Sequence, residues 1–129
     1  MEKRKLLFYW VFTALLSFGM LFSGMAQVLS FPEMLEMASS LGYPSYFFLI
    51  LGVWKVLAVV AILAPGFLLL KEWAYAGLFF VMTGAFVSHL ASGHTYTELL
   101  GPVFQTLFIV GSWYFRPANR RLTAPSILV

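Results

Sequence analysis

The chain has 129 residues, of which 61% are hydrophobic and 10% charged, with a formal net charge of +3 and no cysteine. With a mean hydropathy of +0.89, so much apolar surface cannot be hidden inside a soluble domain of this size. The lack of cysteine excludes disulfide exchange, thiolate catalysis and cysteine-ligated metal or iron–sulfur centres within this chain.

Apolar runs of about 18 or more residues read as membrane spans, because roughly 20 helical residues cross the hydrocarbon. The runs here are continuous rather than alternating, which favours helices over a closed barrel. The expectation is an all-α integral membrane four-helix bundle forming one membrane domain over residues 1–129, with spans at about 6–28, 45–64, 73–91 and 99–115 and a basic tail at 116–129. Lys3-Arg4-Lys5 ahead of an apolar stretch also fits a signal peptide, but that stretch is long for one and further spans follow.

Lys3, Arg4, Lys5, Lys71, Arg116, Arg120 and Arg121 all fall on the side of the termini, whereas Glu33, Glu36 and Glu98 occupy the opposite loops. The positive-inside bias makes both termini, and the 116–129 tail, cytoplasmic. The basic residues then orient the chain against anionic lipid heads of the bilayer. They form short flanks and no extended basic face, which excludes nucleic acid as a partner. Tyr9, Trp10, Trp73, Tyr75, Trp113 and Tyr114 at one level, and Tyr43, Tyr46 and Tyr96 at the other, read as interfacial belts.

In chain order, span one carries the small pair Gly19 and Ser23. Ser30-Phe31-Pro32-Glu33 then reads as a helix start, with Ser30 capping and Glu33 completing a capping box. Met34, Leu35, Ala38 and Leu41 share one face, and Gly42 followed by Pro44 ends the element. Residues 31–41 are therefore expected to form a short amphipathic helix lying as a lid over the outer end of the bundle.

Span two holds Lys55 near its centre, beside Trp54. A charge at that depth costs about 2.5–3.5 kcal/mol on insertion scales. Either Lys55 is neutral, or it reaches outward to water, Gln105 or a carboxylate near the lid, or it meets a ligand carbonyl or anion. Pro65-Gly66 breaks the span. Along span three, Ala74, Gly77, Val81, Gly84, Ser88 and Ala91 make a seam of mostly small residues. Such a seam serves internal packing, a homodimer or a partner span.

Gln105 and Thr106 on span four lie close to the level of Lys55, with His89 about two turns further out and Gln27 and Glu98 beyond it. The polar groups thus run from mid-depth to the outer leaflet, and the cytoplasmic half is expected to hold almost none. His89 and His94 give only a weak metal or haem signal: no second axial ligand stands at suitable depth, so neither a metal nor haem is expected. His94 is expected to be solvated, and His89 to hydrogen-bond within the bundle or handle protons.

Leu41-Gly42-Tyr43-Pro44, Leu51-Gly52-Val53-Trp54-Lys55-Val56-Leu57, Lys71-Glu72-Trp73-Ala74-Tyr75-Ala76-Gly77 and Gly84-Ala85-Phe86-Val87-Ser88-His89-Leu90, in this order, resemble the DoxX-like family of small bacterial membrane proteins. The resemblance implies a four-helix bundle in the bacterial inner membrane. The wider group includes a subunit of thiosulfate:quinone oxidoreductase and members linked to membrane redox complexes. Carried over residue by residue, its motif positions are Lys55, Glu72, Trp73, Tyr75, Ser88 and His89. An Asp that often follows the Ser-His stretch in such proteins is missing: Gly93 is followed by His94-Thr95, and the nearest acid is Glu98. Glu72 favours a helix N-terminus and can pair with Lys71 or Arg116.

The leading expectation is a ligand-binding or redox-associated subunit that takes a quinone-like or other lipophilic molecule between helices. Lys55, His89, Gln105, Trp54 and Gln27 would form its site, with Glu72, Ser88 and Glu98 in support. The alternative is a non-enzymatic assembly or scaffold subunit that holds a membrane partner. A small proton-coupled transporter is disfavoured, because no carboxylate lies at mid-depth. No self-contained catalytic motif is present.

Overall fold

The computed structural model describes residues 3–93 and 96–120. Its elements are α1 (Lys3–Val28), a short α2 (Pro32–Leu41), α3 (Ser45–Leu63), α4 (Leu68–Ala91), α5 (Tyr96–Tyr114) and a 3-10 turn at Ala118–Arg120. No strand occurs among the described residues. The chain is an all-α membrane bundle, as its apolar runs predict. Three of its helices, α1, α3 and α4, are long and apolar enough to cross a membrane among the described residues. The fourth long helix, α5, equals α3 in length at 19 residues, but Glu98, Pro102 and Gln105 dilute its apolar character.

The contacts run round a ring: α1 packs on α3 and α5, α4 packs on the same two, and α2 leans on α3. Two ends of the bundle are thereby defined. Phe8 and Phe12 of α1 meet Phe115 just past α5, so the first and last helices close the termini end together. The lid end carries α2. Leu16, Met20, Val59, Ile62, Leu78, Met82 and Ile109 fill the shared core. Phe18, Phe22, Leu57, Phe80 and Val87 stand exposed around the outside, where hydrocarbon replaces water as the surrounding medium.

Local sequence accounts for most boundaries. Pro32 opens α2 at a position where its missing N–H costs nothing, and Gly42 closes it in the left-handed conformation (φ 81°), its N–H bonding back to Ser39. The capping box is not formed. The N-cap residue is Phe31, without a side-chain cap, and Ser30 sits one step earlier in a tight turn with φ 55°. The turn from α1 uses backbone bonds instead, Ser30 to Gln27 and Phe31 to Ala26. Helix α4 begins at Leu68 rather than at Trp73. The charges of Lys71 and Glu72 suggest a span boundary, yet both lie within the first turns of the helix and Lys71 is buried.

The backbones of α1 and α3 approach closely. A Cβ placed on Gly52 would stand 2.6 Å from the carbonyl oxygen of Gly24, and one on Gly24 would stand 3.0 Å from that of Gly52. Facing glycines thus let the two helices touch, the usual route to tight helix contacts in lipid. The small-residue seam of α4 behaves differently: nothing lies within 4 Å of a Cβ built on Gly77 or Gly84. Gly52→Leu should therefore lower stability by roughly 1–3 kcal/mol, the cost of forcing volume into a filled interface, while Gly77→Ala leaves it unchanged. Thermal unfolding of the two variants in the same detergent checks this.

Candidate functional site

The lid half of the bundle is hollow. A cavity of about 750 Å³ lies among α1, α3, α4 and α5 with Met34, Met37 and Leu41 of α2 over it. That volume falls in the range of small-molecule sites. Lys55, Gln27, Gln105, His89, Ser88 and Glu98 all line it. The spacing explains the convergence. Ser23 and Gln27 lie four apart on one face of α1, Ser88 follows Gly84 by four on α4, and Gln105 lies seven after Glu98 on α5, each near a whole number of turns.

Lys55 is 4% exposed, and its Nζ donates to Ser23 Oγ at 2.9 Å. The contact depends on the Gly24–Gly52 crossing, one residue from Ser23 and three from Lys55, which brings the two helices close enough for the hydroxyl to meet the amine. Gln27 is buried on the same side of α1. Gln105 reaches across from α5 to lie against Gly19, where an added Cβ would collide with its side-chain amide. Among the described residues, the buried side-chain oxygens left without a hydrogen-bond partner are Gln27 Oε1, Gln105 Oε1 and Ser17 Oγ. Each such acceptor costs about 1–3 kcal/mol relative to a satisfied one. An amine and two amide side chains therefore border the same space.

His89 is buried near the end of α4, and Glu98 stands exposed at the rim on the first turn of α5. Tyr43, in the turn before α3, shares a hydrogen bond of 2.6 Å with Ser88 Oγ and so ties the lid side of α3 to α4. Its half-buried ring lines the cavity, so Tyr43 is part of the cavity wall as well as the interfacial belt. His94 lies outside the described residues. Among the described residues no three histidine or carboxylate side chains converge.

Two expected site residues are elsewhere. Trp54 is 59% exposed and faces a separate groove on the outside of α3 and α4. Consecutive helical residues point about 100° apart, so an inward Lys55 turns Trp54 outward. Glu72 lies at the termini end, where it accepts from Arg116 Nε at 3.0 Å and from Trp113 Nε1 at 3.1 Å. It joins α4 to the end of α5.

The termini half, expected to hold almost no polar groups, contains a buried hydroxyl network. Ser112 Oγ lies 2.6 Å from Thr13 Oγ1 and 2.7 Å from Tyr75 OH. Thr13 and Ser112 are fully buried, and Tyr9 and Tyr75 nearly so, which removes both tyrosines from the interfacial belt. Lys71, 1% exposed, donates to the carbonyls of Ala61, at 2.8 Å, and Ala64. Arg120 donates to Ile62 O at 2.9 Å and lies over the Trp10 ring. Two cations thus cover the last carbonyls of α3, which have no donors of their own helix and carry the negative end of its dipole.

The chain matches the DoxX-like family over residues 11–112. No curated protein and no solved structure matches it.

Removal of the Ser112 hydroxyl takes a buried partner from both Thr13 and Tyr75, whereas the Arg116–Glu72 pair stays partly exposed at 15% and 23%. Ser112→Ala should cost roughly 1–3 kcal/mol and Glu72→Gln less than about 1 kcal/mol. Equilibrium unfolding in mixed micelles distinguishes the two.

Proposed function

The chain belongs to the DoxX-like family, and on that footing we propose that it is a small inner-membrane protein that holds a quinone-like or similar lipophilic molecule in the lid-end cavity, as a ligand-binding or redox-associated subunit. In this reading α5 is a fourth span, both termini are cytoplasmic and the cavity opens toward the outer leaflet. The clustering of basic residues at the termini end supports that orientation. Those among the described residues are Lys3, Arg4, Lys5, Lys71, Arg116 and Arg120, while Glu33, Glu36 and Glu98 lie at the lid end.

The observation that carries the proposal is the set of side chains around one cavity. Lys55 offers a donor, and the amide side chains of Gln27 and Gln105 line the same space. A ring carbonyl suits the first, and a ring hydroxyl suits the other two, so a quinone and its reduced form each find complementary partners. His89 borders the same space and is the group that would exchange protons there. The rest of the wall is largely apolar and methionine-rich, with Met20, Met34, Met37 and Met82, which adapts to flat rings of differing shape.

The scaffold reading draws on the open flank of α4 at Gly77 and Gly84, where a partner span or a second copy could approach. Both glycines border hollows rather than a flat face, which favours the ligand reading.

Titration of the purified protein with a benzoquinone, followed by tryptophan fluorescence and by thermal shift, tests the proposal. Lys55→Met should weaken binding by roughly 10- to 150-fold, the loss of one charged-donor hydrogen bond of about 1.5–3 kcal/mol, and Glu72→Gln should leave it unchanged. Equal affinity of the wild type and Lys55→Met would count decisively against the site. Native mass spectrometry of gently extracted protein should find a lipophilic molecule retained by the wild type and absent from Lys55→Met.

A further inference from the structure

A second hollow of about 580 Å³ runs along the outside of the bundle between α3 and α4, on the termini side of Lys55. Its walls include Trp54, Leu57, Phe67, Leu70 and Trp73, and its floor is the α4 seam at Ala74 and Gly77. Lys55 and Val81 line both this groove and the lid-end cavity. The two spaces are therefore neighbours along one α3–α4 cleft, and Lys55 stands at the junction. Among the described residues, Lys55 is also the only charged side chain in the groove's wall.

The small residues of α4 explain why the cleft exists. Ala74, Gly77, Gly84 and Ser88 recur at helical spacing on one side of α4, and that side meets open space at both glycines. In a packed pair this seam would draw α3 and α4 together as Gly24 and Gly52 draw α1 and α3. Instead the bulk that could fill it is absent, and a channel follows the helix. From Trp73 to Val81 the groove spans about 12 Å at 1.5 Å per residue.

From these observations we propose that the groove seats the hydrocarbon tail of the molecule whose polar head occupies the cavity. The ligand is then a single-chain amphiphile, a ring bearing one acyl or isoprenoid chain. Its head lies beyond Lys55 among Gln27, Gln105 and His89, and its tail leaves between α3 and α4 at mid-depth. This rests on the ligand reading of the cavity and adds the route of entry: the molecule comes sideways from the bilayer, through the α3–α4 cleft. Charge complementarity selects the arrangement. The cavity is lined by the polar side chains of Lys55, Gln27, Gln105 and His89, and the groove by apolar carbon and indole rings, so one amphiphile matches both in one orientation only.

Two probes separate this proposal from the reading beneath it: a benzoquinone carrying a decyl chain, and the same ring without the chain. Both are titrated into the wild type and Gly77→Leu in detergent and in phospholipid nanodiscs. Gly77 has open space at its Cβ, so the leucine fills the groove without moving a helix, and an unchanged unfolding temperature verifies this. The decyl probe should bind the wild type more tightly than the bare ring, and Gly77→Leu should weaken it about tenfold, the effect of roughly two buried methylenes. The bare ring should bind both proteins alike. If the bare ring binds but the chain adds nothing, or both probes weaken together in Gly77→Leu, the tail site is refuted and the cavity stands. If neither probe binds the wild type, the cavity reading falls and the tail site with it. Loss of the chain's contribution in nanodiscs alone assigns the groove to bulk phospholipid and also overturns the proposal. A photoreactive group at the end of the decyl chain supplies an independent readout. Labelling should concentrate on the peptide from Phe67 to Gly77, and label spread over Phe18 and Phe22 of α1 would refute the assignment.

Discussion

Everything at the lid end depends on the crossing of α1 and α3 at Gly24 and Gly52. Lipid offers no hydrophobic drive to pull two apolar helices together, so close backbone contact has to supply the association. The paired glycines do so at one level, and that level is the one at which Lys55 sits. The contact places Ser23 under the lysine, closes the cavity on the α1 side and leaves the α3–α4 side as its looser wall. A bulky residue at either position would separate the helices, part Lys55 from its hydroxyl and open the cavity on two sides.

The bundle divides its polar groups by purpose. Toward the termini they are spent on one another: Thr13, Ser112 and Tyr75 exchange hydrogen bonds, Lys71 and Arg120 cover the end of α3, and Glu72 holds Arg116. A satisfied buried network rigidifies its surroundings. Toward the lid, the side-chain oxygens of Gln27 and Gln105 are buried without a hydrogen-bond partner, in residues that line the cavity. A low-dielectric interior makes such groups costly, so the lid half gives up stability that the termini half retains.

The all-α class, the lid helix and most of the polar side chains of the cavity wall are readable from the sequence, because Lys55, Gln27, His89 and Gln105 interrupt apolar runs and can be ranked by depth. What escaped did so for physical reasons. Tyr9 and Tyr75 occupy interfacial positions by depth, and only tertiary contacts turn them inward. Thr13 and Ser112 are small and ordinary in a membrane helix, and nothing local marks them as partners. Lys71 resembles a flanking charge until the start of α4 at Leu68 brings it beneath the end of α3. Gly24 and Gly52 are single glycines on different helices, so a search for small pairs along one helix passes over them and finds Gly77 and Gly84, which border empty space. Adjacency to Lys55 suggests Trp54 for the site, yet the helical turn of about 100° per residue sets the two side chains apart.

The clasp of Lys71 and Arg120 on the final carbonyls of α3 has a mechanical consequence. Helix α3 is held at its termini end by charged hydrogen bonds and at mid-length by the Gly24–Gly52 crossing and the Lys55–Ser23 bond. Ala61 and Ala64, whose carbonyls accept from Lys71, also line the groove. The cation that caps the helix therefore also sets the width of the groove at its base.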